Sequence, residues 1–370
     1  MSTSSPSNAI SGASSSPSSE DVETIRKNRV LSSKLYFDIS DTMVPLIYSS
    51  SYDIAFFGLE KLHPFDSSKW GRICQFLIKD GILQQSQIVE PLEASNDDLL
   101  VVIKSIFRTL CQKLNLLPKR KTYFGNLNSS SNVSKIIEVP PIALLPHWLV
   151  RQKVLYPFRK QRGWAINVGG GFHHCCADKG GGFCVYADIS LCITFAFMRL
   201  DISRVMIIDL DAHQGNGHEM DFGKDRRVYT LDMYNPDIYP FDFKARAYID
   251  QSVKVKSATS TNVYLKKLDK ALEVAGICFK PELIVYNAGT DILDGDPLGE
   301  LKVSPDGVAS RDEKVFRFAK EKNIPLVMLT SGGYMKSSAK VIADSLTNLS
   351  NKGLIDLATP PLGTFLCVHM

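Results

Sequence analysis

The run Val205-Met206-Ile207-Ile208-Asp209-Leu210-Asp211-Ala212-His213 decides the fold class. Its apolar part is continuous rather than alternating, which marks a strand covered on both faces. Its polar part arrives abruptly, where such a strand must end. Four other short apolar runs share the pattern of Val205 to Leu210: Ala165 to Val168, Val228 to Leu231, Leu283 to Tyr286 and Leu326 to Leu329. Each is closed by glycine or polar residues and separated from the next by a helix-length segment. Buried strands alternating with helices predict an α/β fold, a single open, mainly parallel sheet with helices on both faces.

In such a sheet, ligands bind beyond the carboxyl ends of the strands. The residues found there are Gly169-Gly170-Gly171-Phe172-His173-His174, Asp209-Leu210-Asp211-Ala212-His213, Asn287-Ala288-Gly289-Thr290-Asp291 and Thr330-Ser331-Gly332-Gly333-Tyr334. Four strand ends thus deliver three histidines, three aspartates and a tyrosine. Nine of the 24 glycines fall between Gly163 and Gly217, where loops pass close to one another or turn through positive φ.

Asp211 and His213 are two residues apart, so at a strand end both can turn toward one point, and Asp291 can join them from another strand. Histidine with carboxylates suits a divalent ion of the zinc kind with a position left for water. Each element also has a plainer reading: a strand-terminal aspartate often caps the next helix, and loop histidines can be satisfied by backbone. The joint appearance of these groups after successive strands favours catalysis. Serine-hydrolase elbows, phosphate loops, dinucleotide fingerprints and His-Glu-x-x-His are all missing from the sequence.

The rest of the chain sets bounds. Its 370 residues, 44% hydrophobic and 22% charged, predict a sizeable core, and the formal charge of +4 is too mild to imply direct nucleic-acid binding. No apolar run approaches the roughly 18 residues of a membrane span. Eight cysteines without a CxxC pair, two of them adjacent at Cys175-Cys176, predict a reducing compartment. Met1 to Ser19 holds ten serines and two prolines and no charge, so residues 1–33 are expected to form a disordered tail, followed by a catalytic domain over 34–350 and a C-terminal segment over 351–370. A serine-rich, acid-poor start also fits a transit peptide, although its arginines are missing before Arg26. Tyr48 to Phe57 reads as strand and loop, Trp70 to Asp80 as an amphipathic helix, and Asn126 to Ser134 as a surface loop.

From about Tyr48 to Leu346 the sequence resembles the zinc-dependent histone deacetylases of the arginase/deacetylase superfamily, their class IV branch most closely. The resemblance rests on Phe57-Gly58-Leu59-Glu60-Lys61-Leu62-His63-Pro64-Phe65-Asp66, on Gly163 to Asp188, on Asp209 to Glu219 and on Tyr286 to Asp296. It implies one catalytic zinc ion on Asp211, His213 and Asp291, with His173 and His174 as the acid–base pair and Tyr334 as the hydroxyl that polarises the carbonyl. Asp209 is implied to orient His173, with a structural potassium ion near it. Asn216 stands beside His174 where class I members carry aspartate, which should lower the basicity of His174. Gly182 is implied to present its carbonyl to the substrate amide, and Phe183 and Tyr239 to wall a narrow acyl-lysine channel.

The implied reaction is hydrolysis of N-epsilon-acyl-lysine amides on proteins such as histone tails, with corepressor partners and a nuclear, and also cytoplasmic, location. Class IV members are associated with long fatty acyl groups as well as acetyl. Two alternatives stay open: hydrolysis of polyamines or other small acyl-amines, and an inactive, partner-binding form. The second arises because Arg159-Lys160-Gln161-Arg162 runs straight into Gly163-Trp164, where the family places a helix. Arginase-like chemistry needs two bridged metals, and Gln214 and Asn216 occupy positions where its additional ligands would be wanted.

Overall fold

The computed structural model of the chain describes residues 19–37, 42–53, 65–103, 163–184 and 186–357. Among them, seven strands form one sheet: β1 (Leu46–Ile47), β2 (Trp164–Asn167), β3 (Val205–Asp209), β4 (Val228–Tyr234), β5 (Gln251–Lys254), β6 (Leu283–Asn287) and β7 (Leu326–Leu329). Their order is β1-β2-β7-β6-β3-β4-β5, and every neighbouring pair is parallel. The expected runs lie on β2, β3, β4, β6 and β7, with ends shifted by up to three residues. Two strands escaped the sequence reading. β1 spans two residues, and the edge strand β5, Gln-Ser-Val-Lys, alternates half-buried and exposed residues, as a polar edge that discourages further pairing should.

Helices cover both faces, as the double burial of the strands requires. The described helices are α1 (Ser19–Ser32), α2 (Lys69–Lys79), α3 (Asn96–Leu99), α4 (Asp188–Arg199), α5 (Asn216–Phe222), α6 (Phe243–Arg246), α7 (Thr261–Cys278), α8 (Pro305–Glu321) and α9 (Ser338–Asn351). Successive strand side chains point to opposite faces. Met206, Ile208, Ile284 and Tyr286 accordingly join the core under α2, α7, α8 and α9, while Val205, Ile207 and Val285 pack with Ile189, Cys192 and Ala196 of α4. α8 starts where Ser304 Oγ accepts from Gly307 N at 3.1 Å with Pro305 in the first turn, a favourable start because proline has no N–H to leave unpaired.

The expectation of a disordered tail over residues 1–33 is corrected over Ser19–Ser32, which form α1. Glu20 and Asp21 lie in its first turn and Arg29 in its last, each favourable to the helix dipole. Val30 is fully buried in a cluster with Leu191 and Phe195 of α4. Arg199 donates to the carbonyls of Val30 at 2.9 Å and Leu31 at 3.1 Å, closing the end of the helix. The low-complexity start hid this, because one buried valine and a distant arginine leave no periodic pattern.

The helix expected over Trp70 to Asp80 is α2, offset by one residue. Residues 1–18, most of the Phe57 to Asp66 string, the Asn126 to Ser134 segment and the joint at Arg159 to Arg162 lie outside the described residues, which resume at Gly163. No helix of the described residues is long and apolar enough to cross a membrane.

Candidate active site

Sheet register brings the site together. Asp209, the last residue of β3, is paired with Asn287 at the end of β6 and with Asp232 in β4. A row of buried polar groups therefore crosses three adjacent strands where the apolar runs end.

The loop after β2 carries His173 and His174. Gly171 adopts φ +104, and a Cβ there would collide with the Asn287 side-chain oxygen, so both conformation and space demand glycine. Asp188 holds the loop by accepting from the N–H groups of Gly171 at 2.9 Å and Phe172 at 3.3 Å. Burial pushes this carboxyl up to about 7 even against those hydrogen bonds.

The two histidine rings lie 4.2 Å apart between centroids. His173 Nδ1 is 2.8 Å from Asp209 Oδ2, and its Nε2 is 3.5 Å from Asp211 Oδ1. Burial works against its charge, yet Asp209 and Asp211 prevail and raise it to about 9. His174 Nδ1 instead meets the Asn216 Oδ1 at 2.8 Å. Burial and the nearby His173 hold His174 well below the ordinary histidine value.

Asp211, His213 and Asp291 converge, with one potential ligand atom from each inside a 4.8 Å group. His213 Nδ1 lies 3.1 Å from Asp211 Oδ1 and 2.9 Å from Asp291 Oδ2. Ser331 Oγ and Gly332 N donate to the other Asp211 oxygen at 2.8 and 3.0 Å, and Ala212 N donates to Asp291 Oδ1 at 2.9 Å. Burial and the charge of Asp211 push Asp291 up to about 7, while His173 and His213 keep Asp211 well below the usual carboxylate range despite its burial. Two buried carboxylates thus face a single imidazole nitrogen, and a divalent cation is the group that relieves their repulsion and uses all three donors. The residues fit zinc. His173, Asp209 and His218 form a second group of convergent donors, with His218 Nε2 2.8 Å from Asp209 Oδ2.

Tyr334 closes the site from the loop after β7. Its backbone N–H donates to Asp296 Oδ2 at 2.8 Å, and its ring centroid is 6.2 Å from that of His213. Burial, with Asp291 and Asp211 nearby, raises its phenol well above the ordinary value. Phe183 stands 6.4 Å from the Tyr334 ring and Tyr239 stands edge-on to His174 at 4.9 Å; both remain largely exposed, at 55% and 44%. Gly182 lies between them with φ +48, and a Cβ there would strike His174. All eleven residues singled out in the sequence are therefore gathered around one point.

Several supporting groups were not singled out. Lys69 of α2 is fully buried, with its amine donating to the carbonyls of Ser331 and, at 3.0 Å, Gly332. Burial lowers it to about 8 against the raising influence of Asp291, Asp211 and Asp296. Asn287 donates to Asp209 Oδ1 at 3.1 Å, and Arg311 of α8 holds the carbonyls of Ala288 and Gly289 just before Asp291. Asn287 was legible as a polar residue closing an apolar run. Lys69 and Arg311 were not, because a lone cation on a helix reads as solvated surface.

Comparison with known proteins points the same way. A family model described as a histone deacetylase domain matches residues 63–350. The chain is 65% identical over 346 residues to histone deacetylase 2 of Arabidopsis thaliana, covering 90% of this chain and 85% of that one. It is 27% identical over 293 residues to an uncharacterized protein of Picosynechococcus, covering 79% and 93%, and 31% identical over 188 residues to histone deacetylase 6 of Arabidopsis thaliana, covering 48% and 38%. The domain match spans well over half of the sequence and includes every strand-end group described above, so the chain belongs to the histone deacetylase family.

Proposed function

We propose that Asp211, His213 and Asp291 hold one zinc ion, and that His173, His174 and Tyr334 work around it to hydrolyse acyl-lysine amides. The observation that carries this reading is the convergence of two buried carboxylates and His213 Nδ1 directly beside the paired histidines. Zinc bound there supplies Lewis acidity to the acyl carbonyl and to the attacking water.

The protein's own groups do the rest. Asn216 Oδ1 can only accept, so His174 carries its hydrogen on Nδ1 and leaves Nε2 as a base. Its lowered proton affinity keeps it unprotonated near neutrality, ready to take the proton of water. His173, hydrogen-bonded to the Asp209 carboxylate, holds a proton that it can give to the departing lysine amine. Neighbouring groups of one residue type, pushed apart by their surroundings, divide the acid and base roles. The Tyr334 hydroxyl stabilises the developing oxyanion. Phe183 and Tyr239 wall the entry for the lysine stem, and Gly182 offers its carbonyl to the substrate amide.

Histone tails and other acyl-lysine proteins are the substrates this reading carries, with corepressor proteins as partners and the nucleus, then the cytoplasm, as location. A structural potassium ion near Asp209 belongs to the same reading. Small acyl-amines and a purely partner-binding role are not favoured, given the family and the assembled site. The test is zinc analysis of the purified chain with turnover of acyl-lysine peptides of increasing chain length and of acetylpolyamines. Stoichiometric zinc with peptide turnover is expected; a zinc-loaded chain that turns over only acetylpolyamines, or nothing, would overturn the assignment.

A further inference from the structure

We propose that His218 is a positioning residue, fixing the Asp209–His173 pair through a hydrogen bond to the same carboxylate oxygen that His173 uses. The proposal rests on the reading in which Asp209 orients His173. α5 begins at Asn216 and turns His218 back beneath the histidine loop, where it is 1% exposed. His218 Nε2 and His173 Nδ1 each lie 2.8 Å from Asp209 Oδ2. A carboxylate oxygen only accepts, so each ring carries a hydrogen on the nitrogen that faces it.

The other Asp209 oxygen, Oδ1, accepts from Asn287 Nδ2 at 3.1 Å and from Asp211 N at 3.2 Å. Four donors therefore saturate this carboxylate, two on each oxygen. Without His218, Oδ2 would keep His173 as its one donor among the described residues, and the carboxylate would be held from behind through Oδ1 alone. The His173 ring would then be less firmly set against Asp211, 3.5 Å from its Nε2.

Two observations separate this role from simple core filling. His218 Nδ1 is buried and has no hydrogen-bond partner among the described residues, a cost that packing alone gives no reason to carry. The loop also leaves room for this bond at Gly215, where a Cβ would overlap His218 Nε2 and stand 2.5 Å from Asp209 Oδ2. Any larger residue at position 215 would separate the two.

The experiment compares His218→Gln, which can place an N–H where Nε2 stands, with His218→Met, which fills the space and donates nothing. Kinetics on an acyl-lysine peptide are measured for both, with zinc content and melting temperature, and for Asp209→Asn. His218→Met is expected to lower kcat about tenfold with little change in KM or zinc, the scale of one lost hydrogen bond to a charged group. His218→Gln is expected to recover most of that loss. Equal damage in both His218 variants, or none in either, would overturn the role of His218. Unchanged kcat in Asp209→Asn would instead overturn the reading of Asp209 beneath it. Imidazole 15N spectra of the unmodified protein decide the matter even if a variant does not fold: the proposal requires His218 to carry its hydrogen on Nε2, and a hydrogen on Nδ1 alone would end it.

Discussion

His173 and His174 lie side by side with ring centroids 4.2 Å apart, yet the Nδ1 of one meets a carboxylate and the Nδ1 of the other meets an amide oxygen. Asp209 and Asp211 raise His173 against its burial, whereas burial and the neighbouring His173 lower His174, which has only an amide partner to offset them. A carboxylate attracts the imidazolium form, whereas an amide oxygen fixes the tautomer without adding a charge.

Asn216→Asp should therefore raise the basicity of His174. In the proposed mechanism His174 acts unprotonated, so activity falls on acidification as it gains a proton. A higher proton affinity moves that fall to higher pH, by about one unit if the new carboxylate ionises. The pH profile of kcat/KM checks this. An acid limb that stays in place would show that His174 is not the base, or that Asn216 does not govern it.

The sheet was legible in the sequence because its central strands are buried on both faces and read as unbroken apolar runs. The site was legible for the same reason: Asp209, Asp211, Asn287 and Asp291 stand out because polarity begins where burial by helices ends. Lys69, Arg311 and His218 did not stand out. Each is a polar residue on a helix, and only the tertiary fold shows that Lys69 meets the Ser331 carbonyl, Arg311 the Gly289 carbonyl and His218 the Asp209 carboxylate. β5 and α1 escaped for the opposite reason, since an exposed edge and a helix anchored by Val30 carry too few apolar residues to form a pattern.

Asp211→Ala should lose zinc and activity together, because removal of one of three protein ligands leaves a site of the wrong shape. A chelator should lower the melting temperature of the unmodified protein, with little effect on the variant. A zinc excess of about 1,000 times Kd contributes about 4 kcal/mol to the folded state. Stoichiometric zinc in the purified variant, measured by elemental analysis, would refute the assignment of Asp211 as a ligand.

Asp312→Asn should destabilise the fold without touching the site directly. Asp312 Oδ1 accepts from Arg311 Nε at 2.9 Å and from Tyr286 OH at 2.5 Å, while Ser345 Oγ donates to Oδ2 at 2.5 Å, all of it buried. Neutralising one partner leaves the Arg311 charge buried without its counter-ion, a loss of about 3 to 5 kcal/mol. The double variant Arg311→Met, Asp312→Leu should not recover it, since it strands the Tyr286 and Ser345 hydroxyls and the Ala288 and Gly289 carbonyls. Urea unfolding of the three proteins gives the comparison, and a stable Asp312→Asn would show that the network tolerates the loss.

Tyr334→Phe isolates chemistry from packing. It removes one hydroxyl and almost no volume, and its ring contacts with Phe65, Phe183 and His213 can persist. If the hydroxyl acts on the oxyanion, its loss is felt in the transition state and hardly in the bound substrate. The expected result is a fall in kcat of roughly 100-fold or more, with KM and melting temperature nearly unchanged. A rise in KM at constant kcat would instead make Tyr334 a substrate-binding wall, and unchanged turnover would reduce it to packing beside His213.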